Sequence, residues 1–290
     1  DTITLKSDKA DFRIASDSPW AEFKTLWELY DKAFTPWEWH EAIYQEAKKL
    51  DLLFFSSSFN SEAVDFNEQL GVFAHKIASP EIFDIPLLRK VAATGKPVIV
   101  STGLAVLKDI TLAVETLREA GTLDIILLKC TTSYPTRYEE LNLKTILDMQ
   151  KKFKLNIGFS DHSLGIDISV AAVAKGAHII EKHFTLDRNL PGPDHLASLE
   201  PKELKDLVQS IRTVELALGD GIKIPKESEL ENKKVARKGI FASRRINQGD
   251  TITEGMLSIK RPEKGLSPML MWDVIGSKAT RDYDEDEAFE

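Results

Sequence analysis

Six short apolar, partly β-branched runs recur along the chain at Leu52–Phe59, Val72–Ser79, Pro97–Gly103, Asp124–Thr132, Asn156–Asp161 and His178–Thr185. Runs of this length bounded by polar turns predict buried strands. Between them the apolar spacing becomes helical. In LKDITLAVETLREAG, Leu107, Ile110, Val114, Leu117 and Ala120 share one face, and Gly121 stands where a C′ glycine ends a helix. Upstream, TPWEWHEAIYQEAKKL places Thr35 as N-cap, Pro36 at the first helical position and Glu38 three residues after the cap. That is a capping box, and it predicts a helix running to Leu50. Trp37 and Trp39 are expected to pack in the core.

Strand–helix alternation with short connections calls for a parallel sheet, which leaves a doubly wound sheet or a (β/α)₈ barrel. No glycine-rich phosphate fingerprint follows any strand, as a doubly wound nucleotide site would require. Instead the strands end in polar residues: SSSFN, KIASPE, STG, KCTTSYPT, FSDHS and EKHFT. Polar groups spread over many strand C-termini are the mark of a barrel's catalytic face. The expected fold is therefore α/β, a (β/α)₈ TIM barrel over residues 1–219. Six strands are legible where closure needs eight, and residues 1–34 carry little strand signal, so the N-terminal strands are expected to be missing. After a helix from Pro201 to Leu218, the polar stretch GDGIKIPKESELENKKVARKG reads as a linker, residues 220–235. Residues 236–290 read as a small, loop-rich second domain, near the lower size for independent stability and expected to lean on something else. Its acidic end, RDYDEDEAFE, shows no evident final element.

Composition narrows the class without changing this outline. The 290 residues are 42% hydrophobic, with 38 Lys plus Arg against 46 Asp plus Glu and a net charge of −8. An acidic chain whose one basic run is Arg244-Arg245 argues against nucleic acid as partner. No apolar run is long enough to span a bilayer, the opening residues lack a signal peptide's features, and no membrane partner is expected. The single cysteine, Cys130, excludes an intramolecular disulfide and any multi-cysteine metal site, and cytoplasmic residence is the default.

Candidate chemistry gathers at the strand ends. His162 and His183 end adjacent strands at one rim, where they either share a divalent metal or serve as two hydrogen-bonded structural histidines. Lys76, Ser57, Ser79, Thr132 and Ser160 place an ammonium and four hydroxyls around one mouth, a set that suits a phosphate. Each hydroxyl alone reads equally as a helix cap, whereas a lysine inside an apolar strand needs a partner. Glu81 and Asp194 are carboxylate candidates, Asp194 in a loop where solvated carboxylates are common. Cys130 reads as a buried inert thiol.

The motifs STG, CTTSYPT, GFSDH, EKHFTLDRNLPGPDH and IKRPEKG, in this order and spacing, resemble the sialic acid synthase family. LYDKAFTPWEWH is further similar to its pseudaminic acid synthase branch. The resemblance implies a barrel followed by an antifreeze-like SAF domain, and condensation of phosphoenolpyruvate with an N-acyl amino sugar to a nonulosonic acid. For the branch the sugar is 2,4-diacetamido-2,4,6-trideoxy-altrose; the N-acetylneuraminate and legionaminic acid branches use other N-acyl sugars. It makes His162 and His183 ligands of a divalent metal, manganese with magnesium or cobalt as alternatives. Ser57, Lys76, Ser79, Thr132 and Ser160 fall at phosphoenolpyruvate-binding positions, Thr132 standing where the sialic acid branch commonly has Asn. Glu81, Asp194 and Tyr134 fall at active-site positions. Arg261, in IKRPEKG, matches an arginine that the SAF domain lends to the other subunit of a domain-exchanged homodimer. The family's first two strand motifs are absent. Two rivals remain at this point: another metal-dependent barrel enzyme acting on a sugar phosphate, and a non-catalytic carbohydrate-binding subunit.

Overall fold

The computed structural model describes all residues except 1, 2, 17, 19 and 193. It divides into two compact units, Asp1–Gly219 and Asp220–Glu290.

The first unit opens with α1 (Leu26–Ala33), α2 (Trp37–Lys49) and α3 (Ser61–Leu70). Strands and helices then alternate: β1 (His75–Ile77), α4 (Ile85–Ala92), β2 (Val98–Ser101), α5 (Leu107–Glu119), β3 (Ile125–Cys130), α6 (Lys144–Phe153), β4 (Asn156–Asp161), α7 (Asp167–Ala174), β5 (Ile180–Lys182) and α8 (Pro201–Leu218). The five strands form one parallel sheet in the order β1-β2-β3-β4-β5, curled as half a barrel. Local chemistry starts the helices. Asn60 Oδ1 accepts from Ala63 N–H at 2.8 Å to cap α3, and Asp84 Oδ1 accepts from Leu87 N–H at 3.0 Å to cap α4. Asp109 Oδ2 accepts from Val106 N–H at 3.0 Å before α5.

The two faces of the sheet differ by the period of two. Ile77, Val98, Val100, Ile125, Leu127, Ile157 and Phe159 face the helices and make the core with Leu88, Val91, Val114, Leu117 and Ile146. The alternate positions, among them Lys76, Ser101, Cys130 and Ser160, turn to the inner face, where chemistry can collect.

Several expectations need correction. The run Leu52–Phe59 makes one isolated bridge, Ser57 to Lys76, with Ser58 N–H donating to Lys76 C=O at 3.3 Å. Among the described residues no strand lies along its other edge, so the extended backbone lacks a second ladder to hold it. The eight-stranded barrel is accordingly present as its curled half. Residues 3–34 supply no strand among those described, only a short turn at Ala10–Phe12, an Arg13–Thr25 bridge and α1. The capping box also fails: Pro36 flanks α2 with no side-chain cap. Trp37 stays 36% and Trp39 58% exposed, and His40 is the buried residue of α2.

The second unit holds α9 (Glu227–Ala236), the antiparallel pair β6 (Gly239–Ala242) and β7 (Leu257–Lys260), and α10 (Met271–Val274). The polar stretch 220–235 thus carries a helix, with no residue buried, which explains why it showed no apolar period. The acidic end is an integral part of the unit. Tyr283 and Phe289 stack at 4.3 Å between ring centres and close a core with Ile240, Ile246, Ile252 and Leu257.

Candidate active site

His162 and His183 follow β4 and β5 by one residue each. The register pairs Ser160 with Glu181 and Asp161 with Lys182, so the next positions, the two histidines, come side by side on the inner face. Their ring centres lie 5.4 Å apart. His162 Nδ1 bonds the Thr131 carbonyl at 2.9 Å, which fixes the proton there and leaves Nε2 with its lone pair. Burial opposes charge on this ring, yet the Cys130 sulfur and the Thr131 carbonyl outweigh it and hold its pKa above the ordinary histidine value. Burial pulls His183 below that value, against the attraction of Asp194, whose Oδ2 lies 3.7 Å from His183 Nδ1. Tyr134 lies against both rings, at 4.2 Å from His162 and 5.5 Å from His183. Burial, with Cys130, Asp194 and Glu181 adding to it, pushes the Tyr134 phenol up to about 12, so it remains a hydrogen-bond donor at any working pH.

On the outer face of the same ladder a buried ion pair ties the two strands. Lys182 Nζ lies 2.9 Å from Asp161 Oδ2 and donates to Ser163 C=O at 2.6 Å. Asp161 also accepts from Ser163 N–H, Ser163 Oγ and Ser169 Oγ.

Lys76 is buried on the inner face of β1. Its Nζ donates to Ser101 Oγ at 2.8 Å and Ile77 C=O at 3.0 Å, and lies 3.5 Å from Glu181 Oε2. Burial lowers its pKa from the usual lysine value and Glu181 offsets part of that. Ser160 Oγ donates to Glu181 Oε1 at 2.7 Å. Ser79 Oγ accepts from Gly103 N–H at 3.0 Å. A Cβ on Gly103 would fall on Thr132 Oγ1 and within 2.7 Å of Ser79 Oγ, so Ser79, Gly103 and Thr132 form one close cluster. Thr132 Oγ1 and Glu81 Oε2 are buried without a hydrogen-bond partner among the described residues. Such orphans leave bonding capacity that a ligand group or a water can complete. Burial raises the Glu81 pKa. Ser57, bridged to Lys76, lines a cavity of about 500 Å³ together with Phe34, Trp37 and Phe59.

The rim therefore collects His162, His183, Tyr134 and Asp194, with Lys76, Ser79, Thr132 and Ser160 on the neighbouring strand ends. Arg261 lies in the second unit, exposed, its Nε donating to Ala236 C=O at 2.7 Å. Sequence reasoning passed over Glu181, which links Lys76 to Ser160. The signal was present, since in EKHFT the period of two puts Glu181 on the face of His183. Among the described residues no cluster of three or more His, Cys, Asp or Glu gathers as a metal cage. Two imidazoles with one free nitrogen lone pair fixed by Thr131 are a donor set suited to a borderline divalent ion that takes its remaining ligands from oxygen. The residues present fit such an ion.

The family model of the NeuB family matches residues 1–223, and that of the SAF domain residues 237–289. The chain is 43% identical over 290 residues to an N,N'-diacetyllegionaminic acid synthase of Campylobacter jejuni, covering 98% of this chain and 85% of that protein. It is 41% identical over 284 residues to a pseudaminic acid synthase of the same species, covering 98% and 82%. Among solved structures, the N-acetylneuraminic acid (sialic acid) synthetase of Leptospira borgpetersenii in complex with citrate superposes with a TM-score of 0.67 at 38% identity, over 71% of this chain and 72% of that one.

Proposed function

The chain belongs to the NeuB family, and from that premise we propose that it is a nonulosonic acid synthase, joining phosphoenolpyruvate to an N-acyl amino sugar with release of phosphate. The observation that carries this reading is the pair His162 and His183, 5.4 Å apart, beside a buried lysine and a set of strand-end hydroxyls. We read the sugar as 2,4-diacetamido-2,4,6-trideoxy-altrose, which makes the product pseudaminic acid. LYDKAFTPWEWH supports that branch; overall identity favours neither it nor the legionaminic branch.

In this reading Lys76 and the hydroxyls of Ser57, Ser79, Thr132 and Ser160 hold the phosphate, and Thr132 Oγ1 gains the partner it lacks. His162 and His183 hold a divalent ion, manganese by resemblance. That ion, when bound, supplies Lewis-acid polarisation of the sugar's open-chain aldehyde. C3 of phosphoenolpyruvate forms the new bond to the aldehyde carbon, water adds at C2, and the C–O bond to phosphate breaks. Glu81 Oε2, unpartnered and with its pKa raised by burial, exchanges the proton with that water. Asp194, beside His183, faces the aldehyde end, and the Tyr134 phenol donates to the sugar. Fixing both reactants against this rim supplies the orientation that a two-substrate condensation requires. Arg261 acts, by the same resemblance, in the barrel of the other subunit of a domain-exchanged homodimer.

The test follows phosphate release from phosphoenolpyruvate with Mn²⁺ and each candidate sugar. Release that depends on a diacetamido sugar and disappears in His162→Ala and His183→Ala supports the reading. Release without sugar, or full activity of both variants after chelation, overturns it. Sugar binding without phosphate release would instead make the chain a binding subunit.

A further inference from the structure

We propose that a groove on the helix side of the sheet, between α5 and α6, binds a small carboxylic acid with an apolar body, its carboxylate seated on Lys129. This site is separate from the one above and does not depend on its assignment. Three lysine ammoniums of the first unit are removed from water. Lys76 has Glu181 at 3.5 Å, and Lys182 has Asp161 at 2.9 Å. Lys129 is 7% exposed, as buried as Lys76, yet makes no ion pair among the described residues. Its Nζ donates to Thr131 Oγ1 at 2.6 Å and lies 5.7 Å from the centre of the Phe159 ring. A hydroxyl and a ring offset part of the desolvation cost, but no carboxylate among the described residues reaches Lys129 at ion-pair distance, the partner a buried ammonium ordinarily has. Burial accordingly lowers its pKa from the usual lysine value, offset in part by Cys130 and Asp161.

A cavity of about 590 Å³ opens beside this lysine, within the size range of small-molecule sites. Its walls are largely apolar: Ala105, Val106, Leu107, Ile110 and Met149. The hydroxyls that line it are already engaged, Thr102 with Leu128 C=O at 2.9 Å and Thr145 with Asn142 C=O at 2.8 Å. Of its other charged groups, Asp148 is held by Lys152 at 2.8 Å, and Lys108 adds a second positive charge. An apolar volume beside a buried cation that no carboxylate pairs directly selects a monoanion carrying hydrocarbon. A phosphate would need several donors that the groove does not offer.

The site also has a path to the chemistry. Thr131 receives Lys129 through Oγ1 and holds His162 Nδ1 through its carbonyl at 2.9 Å. A carboxylate that takes the Lys129 ammonium releases Thr131 Oγ1, which belongs to the same residue as the carbonyl that orients His162.

The test titrates the whole chain with 4-(trifluoromethyl)benzoate and follows the fluorine NMR line, with the neutral 4-(trifluoromethyl)benzamide as control. Saturable benzoate binding is expected, with the amide about tenfold weaker or worse. Lys129→Met should weaken the benzoate about tenfold and leave the amide unchanged. Val106→Trp, which fills the groove mouth from an exposed position, should weaken both. Equal binding of acid and amide, no saturable benzoate binding, or unchanged benzoate affinity in a folded Lys129→Met protein would overturn the proposal. Should that variant not fold, Val106→Trp and the acid–amide comparison decide it.

Discussion

The carboxylate of Asp161 and the ammonium of Lys182 meet at 2.9 Å on the outer face of the β4–β5 ladder, each one residue before a histidine of the inner-face pair. The ion pair staples the two strands at the level where His162 and His183 must face each other. Lys182 also holds the Ser163 carbonyl, so both neighbours of His162 in the chain are fixed.

Breaking this pair should be costly and unequal. Asp161→Asn leaves the Lys182 ammonium buried with one carbonyl acceptor, and should lower stability by about 3–5 kcal/mol. Lys182→Met should cost less, because Asp161 keeps three donors from Ser163 and Ser169. Urea unfolding of both variants checks the order. A Lys182→Met loss equal to or larger than that of Asp161→Asn would show that those donors do not sustain the carboxylate.

The half of the site built on β4 and β5 was legible because strand alternation is a strict geometric rule: Ser160 and His162 had to share one face, and His183 the adjacent one. The same rule held Glu181, but it was overlooked because attention fell on the histidine two residues later. What alternation cannot show is pairing. Leu52–Phe59 has the composition of a strand, yet it keeps a single bridge to Lys76 because no second ladder lies along its other edge among the described residues. Trp37 and Trp39 misled for a related reason. Their helix packs one side only, with Trp37 against Phe66 at 4.7 Å between ring centres, and the rest of its surface remains open. The orphaned Thr132 hydroxyl depends on the close approach of Gly103, a three-dimensional contact that STG alone does not spell out.

Gly103 is the next place to test. A methyl group there would strike Thr132 Oγ1 and crowd Ser79 Oγ, two of the proposed phosphate-holding hydroxyls. Gly103→Ala should raise KM for phosphoenolpyruvate by about tenfold or more while changing KM for the sugar far less. Adding Thr132→Ala should recover part of the stability, since the closer of the two clashes is relieved while the contact with Ser79 Oγ remains, without restoring the affinity. Steady-state kinetics of the single and double variants read this directly. Equal effects on both KM values would place the cluster outside the phosphate site.

The proposed action of Arg261 in the other subunit predicts complementation. An Arg261→Ala chain and a His162→Ala chain should each be inactive alone. Mixed and allowed to exchange, they should recover a fraction of the wild-type rate, because one hybrid site then holds an intact barrel and an intact arginine. No recovery in a mixture proven by mass spectrometry to contain hybrids would confine Arg261 to its own chain.

Glu81 gives a pH test with a definite sign. Burial raises its pKa in the folded protein above the ordinary 4.5, with its backbone hydrogen bond and Lys76 opposing. Just above pH 4.5 the unfolded chain has released this proton while the folded chain still holds it. Stability then falls as pH rises, because the folded state binds more protons than the unfolded one. Above the folded value the penalty is full and constant, for a charged carboxylate with an unpartnered Oε2 is being kept from water. Glu81→Gln removes the titration. Its stability relative to wild type should therefore increase as pH is raised from 4 through the folded pKa, then level off, even though the variant loses the proton exchange proposed for Glu81. Urea unfolding of both proteins at a series of pH values measures the difference. A difference independent of pH would mean that Glu81 titrates as a solvated carboxylate, and it would lose its claim to the proton-transfer role.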